Sequence, residues 1–395
     1  MHGGMIEAPA WRLLDPGPLT AAQNMALDEV LLRARDEGRS PTTLRFLEFS
    51  PHCVLVGFHQ AVELEVEEEY CRSHGIALNR RLTGGGAVYL DEGQLGWEVI
   101  AARADFPGVV GLEGMFARVG ECVVAGLRRL GVDARFRPKN DIEVGGRKLS
   151  GTGGTERSNA LVYHGTLLTD FDVDTMLCSL RLPVSKLDDK QVQGFRQRVT
   201  CLRELLGATP PLPALKRALV DGFAEVLGIA LVPGDLSGDE RSAWVARTPY
   251  YASEEWIRGS HAFAQASALG TVDRKTPGGL VRVAVQVDPA RHVVKAAYVS
   301  GDFFALPARA VLDLEAWLRH TSSLPDDLRR RVGAFFADHD VSMPGVSVDQ
   351  LAEVLCEAAA AAAGRVTPID EAASAAPPAG CVTAGPADAA VPGTA

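Results

Sequence analysis

An α/β (α+β) protein built as two units is predicted by three observations. Helical periodicities alternate with short strand-like pieces up to about residue 230, a linker-like composition follows in LVPGDLSGD at 231–239, and a strictly alternating valine run then opens a second unit. At 395 residues with 47% hydrophobic content, the chain is longer than one core usually serves. The expected boundaries are 1–232 for the first unit, 240–364 for the second, and 365–395 for a tail.

The first helix is set by Thr20 and Gln23 as a capping-box pair, after which Ala26, Leu27, Val30, Leu31 and Ala34 recur at helical spacing before Gly38. Strands are expected at 43–46 and 53–57. A second helix is expected at 112–130, where Phe116, Val119, Val123, Leu127 and Leu130 step by three or four ahead of Gly131. DIEVGGRKLS at 141–150 reads as a hairpin whose loop is Gly145-Gly146. That register faces Val144 with Arg147, Glu143 with Lys148 and Ile142 with Leu149, which turns Lys148 away from the core.

In the second unit Val281, Val283, Val285 and Val287 alternate, a loop at 288–291 follows, and 292–299 returns as an antiparallel partner. Helices at 307–320 and 347–363 would cover this hairpin. The tail is rich in Ala, Pro, Gly and Thr, too poor in large apolar groups to offset the entropy of ordering, and is expected to be disordered.

Forty Lys+Arg against fifty Asp+Glu give a net charge of -10, which argues against whole-surface attraction to nucleic acid or to an anionic membrane. No basic flank and apolar run opens the chain and no window reaches a membrane-spanning length, so a cytoplasmic location is expected. Seven cysteines lie scattered without CxxC pairs, which suits reduced thiols rather than a disulfide frame or a zinc site.

Three segments carry candidate chemistry. In RRLTGGGAVY, Arg80 and Arg81 precede Gly84, Gly85 and Gly86, a loop able to present backbone N–H groups to an anionic oxygen while the arginines supply charge. The second segment joins Lys139, Asn140 and Asp141 to GRKLSG at 146–151. There Lys148 could balance charge on an α-phosphate under attack by an acyl carboxylate, and Asp141 could hold Mg²⁺. The plainer reading is a surface pair between Glu143 and Lys148, worth under about 1 kcal/mol.

The third segment is YHGTLL at 163–168, where His164 has no cysteine within ten residues and is read as a positioning group. No P-loop, GxGxxG or HExxH occurs, since the run begun by Gly151 and Gly153 ends on Glu156. Any use of ATP therefore needs another architecture.

Taken in order, the helix NMALDEVLL from Asn24, RRLTGGGAVY from Arg80, KND at Lys139, GRKLSG from Gly146, YHGTLL from Tyr163 and RVTCL from Arg198 resemble the lipoate-protein ligase A family, within the biotin and lipoyl ligases. YASEEW from Tyr251 and GDFF from Gly301 look like that family's small C-terminal accessory domain. The resemblance implies a catalytic domain with a central mixed sheet flanked by helices and a small α/β accessory domain. It also implies ATP, Mg²⁺ and lipoate as requirements, and a lipoyl-AMP intermediate from which the acyl group passes to a lysine of an acceptor lipoyl domain. That acceptor would be a 2-oxoacid dehydrogenase E2, a glycine-cleavage H protein or a dedicated lipoate-binding protein.

By position, Lys148 resembles the lysine that contacts the acyl carbonyl and phosphate of the adenylate. Gly84, Gly85 and Gly86, with Ala87 and Val88, match the loop against which acyl chain and adenylate lie, and Arg81 an arginine close to the acid. Asn140 and Asp141 match the pair near phosphate and metal, with Ser150 and Gly151 beside them. His164, Gly165 and Thr166 match the HGT of the family's HHGTLL run.

Two positions depart from the pattern: Leu90 replaces a histidine and Gln94 stands near an asparagine, and GQL is reminiscent of octanoyltransferases. The alternative is an acyl-carrier-protein-dependent octanoyl- or lipoyl-transferase. Such an enzyme uses a cysteine just before the YHG-type run or upstream of GRK, and neither 161–163 nor 135–142 contains one. A cysteine-independent transferase and a non-catalytic lipoyl-binding relative are the remaining alternatives. The RGRxGR-type segment of biotin ligases is missing.

Overall fold

The structure is a computed structural model and describes residues 9–109, 111–137, 141–181, 197–259 and 269–365. Lys139, Asn140 and the tail at 366–395 lie outside the described residues.

In chain order the strands are β1 (Ala10–Leu14), β2 (Pro18–Leu19), β3 (Thr43–Phe49), β4 (Cys53–Val56), β5 (Ala77–Arg80), β6 (Val88–Leu90), β7 (Gln94–Ala102) and β8 (Arg135–Arg137). They continue as β9 (Asp141–Val144), β10 (Arg147–Arg157), β11 (Ala160–Leu168), β12 (Ala230–Pro233), β13 (Gly270–Thr276), β14 (Gly279–Asp288) and β15 (Val293–Gly301). A nine-stranded mixed sheet runs β12-β1-β3-β7-β11-β10-β9-β8, with β2 attached to β3. β1 is parallel to β12 and β3, and every pairing from β3 through β8 along this path is antiparallel. A small sheet, β5-β4-β6, lies beside it.

The sheet is covered on both faces, which is why β7 (QLGWEVIAA) is apolar apart from Gln94 and Glu98, and all but its last residue are buried. On one face Trp97, Val99 and Tyr163 pack with Val119, Val123 and Leu127 of helix Gly111–Arg129 and with Leu215, Leu219 and Phe223 of helix Leu212–Leu227. The two helices cross in contact at Gly126 and Gly222, since a Cβ on Gly222 would sit 2.4 Å from the Gly126 nitrogen. Each fully buried Leu or Phe in this layer contributes about 1.5–3 kcal/mol.

On the other face Ile100 and Val162 pack against Leu27 and Leu31 of helix Ala21–Asp36. This helix has the anticipated Thr20–Gln23 capping box. The helices and strands expected at 112–130, 43–46 and 53–57 are present within a few residues of those bounds.

Two sequence expectations are corrected. The hairpin does turn at Gly145-Gly146, and Arg147 pairs with Val144 and Lys148 with Glu143, but a bulge then shifts the register so that Ile142 faces Ser150 rather than Leu149. The extra residue lets Ile142 and Leu149 both enter the core while Lys148 stays outside it.

The linker expected at 231–239 is instead structure. Residues 230–233 form β12 alongside β1, and Ser237 caps helix Gly238–Tyr251. Glu240 of that helix accepts from both Arg12 guanidinium nitrogens at 2.7 and 2.9 Å and from Ser40 at 2.6 Å. Tyr251, Trp256 and Ile257 are buried in a core shared with β4. Residues 240–258 thus pack with the first unit, and the second core begins at β13; proline, glycine and aspartate made a strand edge and a cap look like a linker.

The second core covers an antiparallel sheet β13-β14-β15 with helices Ala310–Leu318, Pro325–Asp338 and Val348–Arg365. The alternating valines point inward as expected. β13 and the middle helix were not anticipated. The cores touch where His59 stacks on Phe303, with ring centroids 5.1 Å apart, and where Arg282 pairs with Glu65.

Candidate active site

A cavity of about 360 Å³ opens between the glycine loop, the β9–β10 hairpin and the helix Val173–Ser179. Its inner wall is apolar, with Met25, Leu47, Phe49, Leu168, Met176 and Leu180, so it suits an aliphatic chain. Its polar end carries Lys148, His164, Gly84, Gly85 and Gly86. Arg81, Ala87, Val88, Gly151, Gly165 and Thr166 also line it, as do Leu90 and Gln94. The structure therefore brings together most of the residues singled out in the sequence. Ser150 is not among the lining residues and is fully buried, and Asn140 lies outside the described residues.

The arginines preceding the loop do not act as expected. Arg80 is buried and donates to the carbonyls of Gly57, Phe58 and Gln60 and, across to the later helices, of Ile257 and Arg258. Arg81, also buried, donates to Leu55 O at 3.1 Å, Gly84 O at 2.7 Å and Gly86 O at 2.8 Å. Burial, and for Arg81 the neighbouring Arg80 as well, lowers both guanidinium pKa values to about 10. Arg81 organises the loop backbone, while Arg80 ties residues 57–60 to residues 257–258, and both charges are committed to backbone carbonyls. Sequence periodicity cannot reveal this, because the acceptors are backbone carbonyls and those of Arg80 lie 20 or more residues away.

His164 lies on β11 with its Nε2 2.8 Å from Thr83 Oγ1, and Arg81 Nε donates to the same oxygen at 3.1 Å. Burial, reinforced by Arg81 and Arg45, pushes the imidazole pKa down to about 3. The ring is thus neutral at physiological pH, a hydrogen-bonding group that ties β11 to the glycine loop.

Beneath it sits a group of residues that the sequence reading missed. Along β3, β7 and β11 the residues facing the first helix include Arg45, Glu98 and His164, and the helix contributes Asp28. Arg45 is fully buried and pairs with Asp28 and, at 2.5 Å, with Glu98. Ligating atoms of Asp28, Glu98 and His164 lie within 4.8 Å of one another, but the Arg45 guanidinium already bridges the two carboxyls, so this is an ion-pair cluster. Burial raises the pKa of both carboxyls above the usual range, against the attraction of Arg45. The available signal was charge inside largely apolar patterns: Arg45 in TLRFLEF, Asp28 in MALDEVLL and Glu98 in QLGWEVIAA.

Lys148 is positioned from its backbone. Its N–H donates to Arg198 O at 2.8 Å and its carbonyl accepts from Thr200 N at 2.9 Å. The side chain, 41% exposed, crosses over Gly151 and meets Asp141 Oδ1 at 2.7 Å. Glu143, the partner considered from sequence, pairs with Arg137 instead.

None of the six described cysteines lines the cavity. Cys53, Cys71, Cys122 and Cys356 are buried, and burial pushes their thiols above the ordinary cysteine range. Among the described residues no helix is long and apolar enough to cross a membrane.

Residues 20–224, more than half the chain, match the family model for the lipoyl protein ligase A/B catalytic domain. The chain belongs to this family. Its relatives fall on both sides of the ligase and transferase divide. An octanoyltransferase LipM of Kyrpidia tusciae is 32% identical over 269 residues, spanning 62% of this chain and 97% of the relative. A lipoate-protein ligase A subunit 1 of Thermoplasma acidophilum is 33% identical over 260 residues, spanning 62% and 95%.

Among solved structures, a lipoate-protein ligase A bound with ATP covers 64% of this chain and 99% of its own at 29% identity and a TM-score of 0.55. LipL1 of P. falciparum, in complex with lipoate, covers 88% and 99% at a TM-score of 0.67; at 15% identity it shows the fold alone. The chain is therefore an enzyme of the lipoate ligase and octanoyltransferase group, with the mixed-sheet α/β fold of its structural neighbours.

Proposed function

We propose that this chain is an ATP-dependent lipoate-protein ligase, activating lipoate or octanoate to acyl-AMP and passing the acyl group to a lysine of an acceptor lipoyl domain. The observation that carries the reading is the polar end of the cavity, which holds a lysine and, among the described residues, no thiol. An acyl carboxylate seated with its chain against Leu47 and Leu168 would attack the α-phosphate, releasing pyrophosphate, while the Lys148 ammonium offsets the charge that builds there. The acceptor's lysine amine would then attack the acyl carbon and release AMP. His164, being neutral, would hold Thr83 and the loop rather than transfer a proton.

Asp141 provides one half-buried carboxylate, which fits a Mg²⁺ ion that is otherwise held by nucleotide phosphates and water. The only cluster of three metal-type donors among the described residues is already bridged by Arg45, so no all-protein magnesium cage is offered. Transfer from an acyl-carrier thioester through an enzyme thioester is the second reading, supported by the octanoyltransferase relatives. It requires a thiolate within reach of the acyl carbon, and no described cysteine lines the cavity.

Acid-dependent exchange of labelled pyrophosphate into ATP separates the two without an acceptor. Exchange that requires octanoic or lipoic acid is expected; its absence with both acids would overturn the ligase reading.

A further inference from the structure

Phe304 has a placement that neither core explains. Its neighbour Phe303 is fully buried in the second core, but Phe304 belongs to none of the apolar cores and is half-buried. Its ring lies instead against three glycines of the other unit. A Cβ built on Gly84, Gly85 or Gly153 would come within 3.2–3.3 Å of a Phe304 ring carbon. The ring also lines the cavity, at the end that carries Arg81 and His164.

The backbone beside it is clamped to the first unit. Gly85 N donates to Phe303 O at 3.2 Å, and Gly301 N to His59 O at 3.1 Å. The Gly85 N–H, which the sequence suggested for an anion, is thereby committed to a carbonyl from the second unit. A Cβ on Gly84 would strike that same carbonyl at 2.4 Å, so the loop's lack of side chains fits the 303–304 segment as closely as it fits a ligand.

We propose that Phe304 is the seal of the cavity: a ring supplied by the second unit that closes the polar end over the glycine loop and keeps water from the activated acyl group. This rests on the ligase reading for the identity of that group, an acyl-AMP. Without the seal, water's oxygen bonds to the acyl carbon, the bond from that carbon to the phosphate oxygen breaks, and free acid and AMP leave with a proton released to solvent. The apolar ring slows this by filling space beside the glycine loop with a surface that offers water no hydrogen bond.

The test uses the full chain with ATP, Mg²⁺ and octanoic acid, comparing wild type with Phe304→Ala and Phe304→Leu. Because Phe304 lies outside both cores, Phe304→Ala should melt within a few degrees of wild type. Its release of AMP in the absence of acceptor should rise about tenfold or more, a barrier change of roughly 1.4 kcal/mol. Phe304→Leu should fall between, and because the ring lines the cavity the AMP release of each variant is scored relative to its own pyrophosphate exchange.

Unchanged AMP release in Phe304→Ala, or a rise no larger than an accompanying rise in exchange, overturns the seal. If the wild type forms no adenylate, the ligase reading fails separately. The same variants are then scored on hydrolysis of an octanoyl-carrier thioester, where a tenfold rise supports the seal and no rise overturns it.

Discussion

Replacing Lys148 by alanine should lower acid-dependent pyrophosphate exchange by about two or more orders of magnitude, a loss of at least roughly 2.7 kcal/mol of transition-state stabilisation. The expectation follows from placement. The ammonium stands at the polar end of a largely apolar cavity, on a backbone held by residues 198–200. Its ground-state partner is the Asp141 carboxylate, and the side chain is 41% exposed. A pair of that kind is worth at most about 1 kcal/mol, so Lys148→Ala should unfold at nearly the wild-type denaturant midpoint. Lys148→Arg keeps the charge on a planar, bulkier head and should recover only part of the rate. Exchange by folded Lys148→Ala within about threefold of wild type would remove Lys148 from the chemistry.

The largest effect on stability is expected from Arg45→Met, which leaves two carboxyls buried without their counter-charge and should destabilise the protein by about 3–5 kcal/mol at neutral pH. The sign of its pH dependence follows from the direction of the shifts. Burial already raises the folded pKa values of Asp28 and Glu98, and loss of the guanidinium raises them further.

A carboxyl raised in the folded state favours folding fully below its unfolded pKa and loses that contribution as pH rises through the folded value. The deficit of Arg45→Met relative to wild type should therefore be smaller near pH 4 than near pH 8. Adding Glu98→Gln, which cannot ionise, should restore part of the loss at the higher pH. Denaturation midpoints at the two pH values measure this. A deficit below about 1 kcal/mol that does not change with pH would show that the cluster does not hold the first helix to the sheet.

How much was legible in the sequence depended on whether the determinant was local. The first helix was readable because Thr20 and Gln23 form its cap and its apolar stripe is regular. The alternating valines of β14 were readable because one face of its sheet is buried. The cavity could be assembled in outline because Gly84 to Gly86, Lys148 and His164 lie in short distinctive strings.

What stayed hidden was long-range. Arg80 and Arg81 look like ligand-binding cations until their carbonyl partners are seen, some of them more than 170 residues away. Asp28, Arg45 and Glu98 come from a helix and two strands, and no local pattern joins them. The bulge after Lys148 is invisible to a strict two-residue period, since it appears only when Leu149 and Ser150 are both found buried. Residues 231–239 had turn composition but sit on a sheet edge and a helix cap.

The claim that activation is by ATP at a lysine-bearing cavity is tested most directly by the intact mass of an acceptor lipoyl domain after parallel incubations with the full chain. One contains ATP, Mg²⁺ and octanoic or lipoic acid; the other contains octanoyl-acyl carrier protein and no ATP. An acyl mass increment on the acceptor in the first and none in the second is the predicted result. Acylation only from the carrier thioester, without nucleotide, would contradict it.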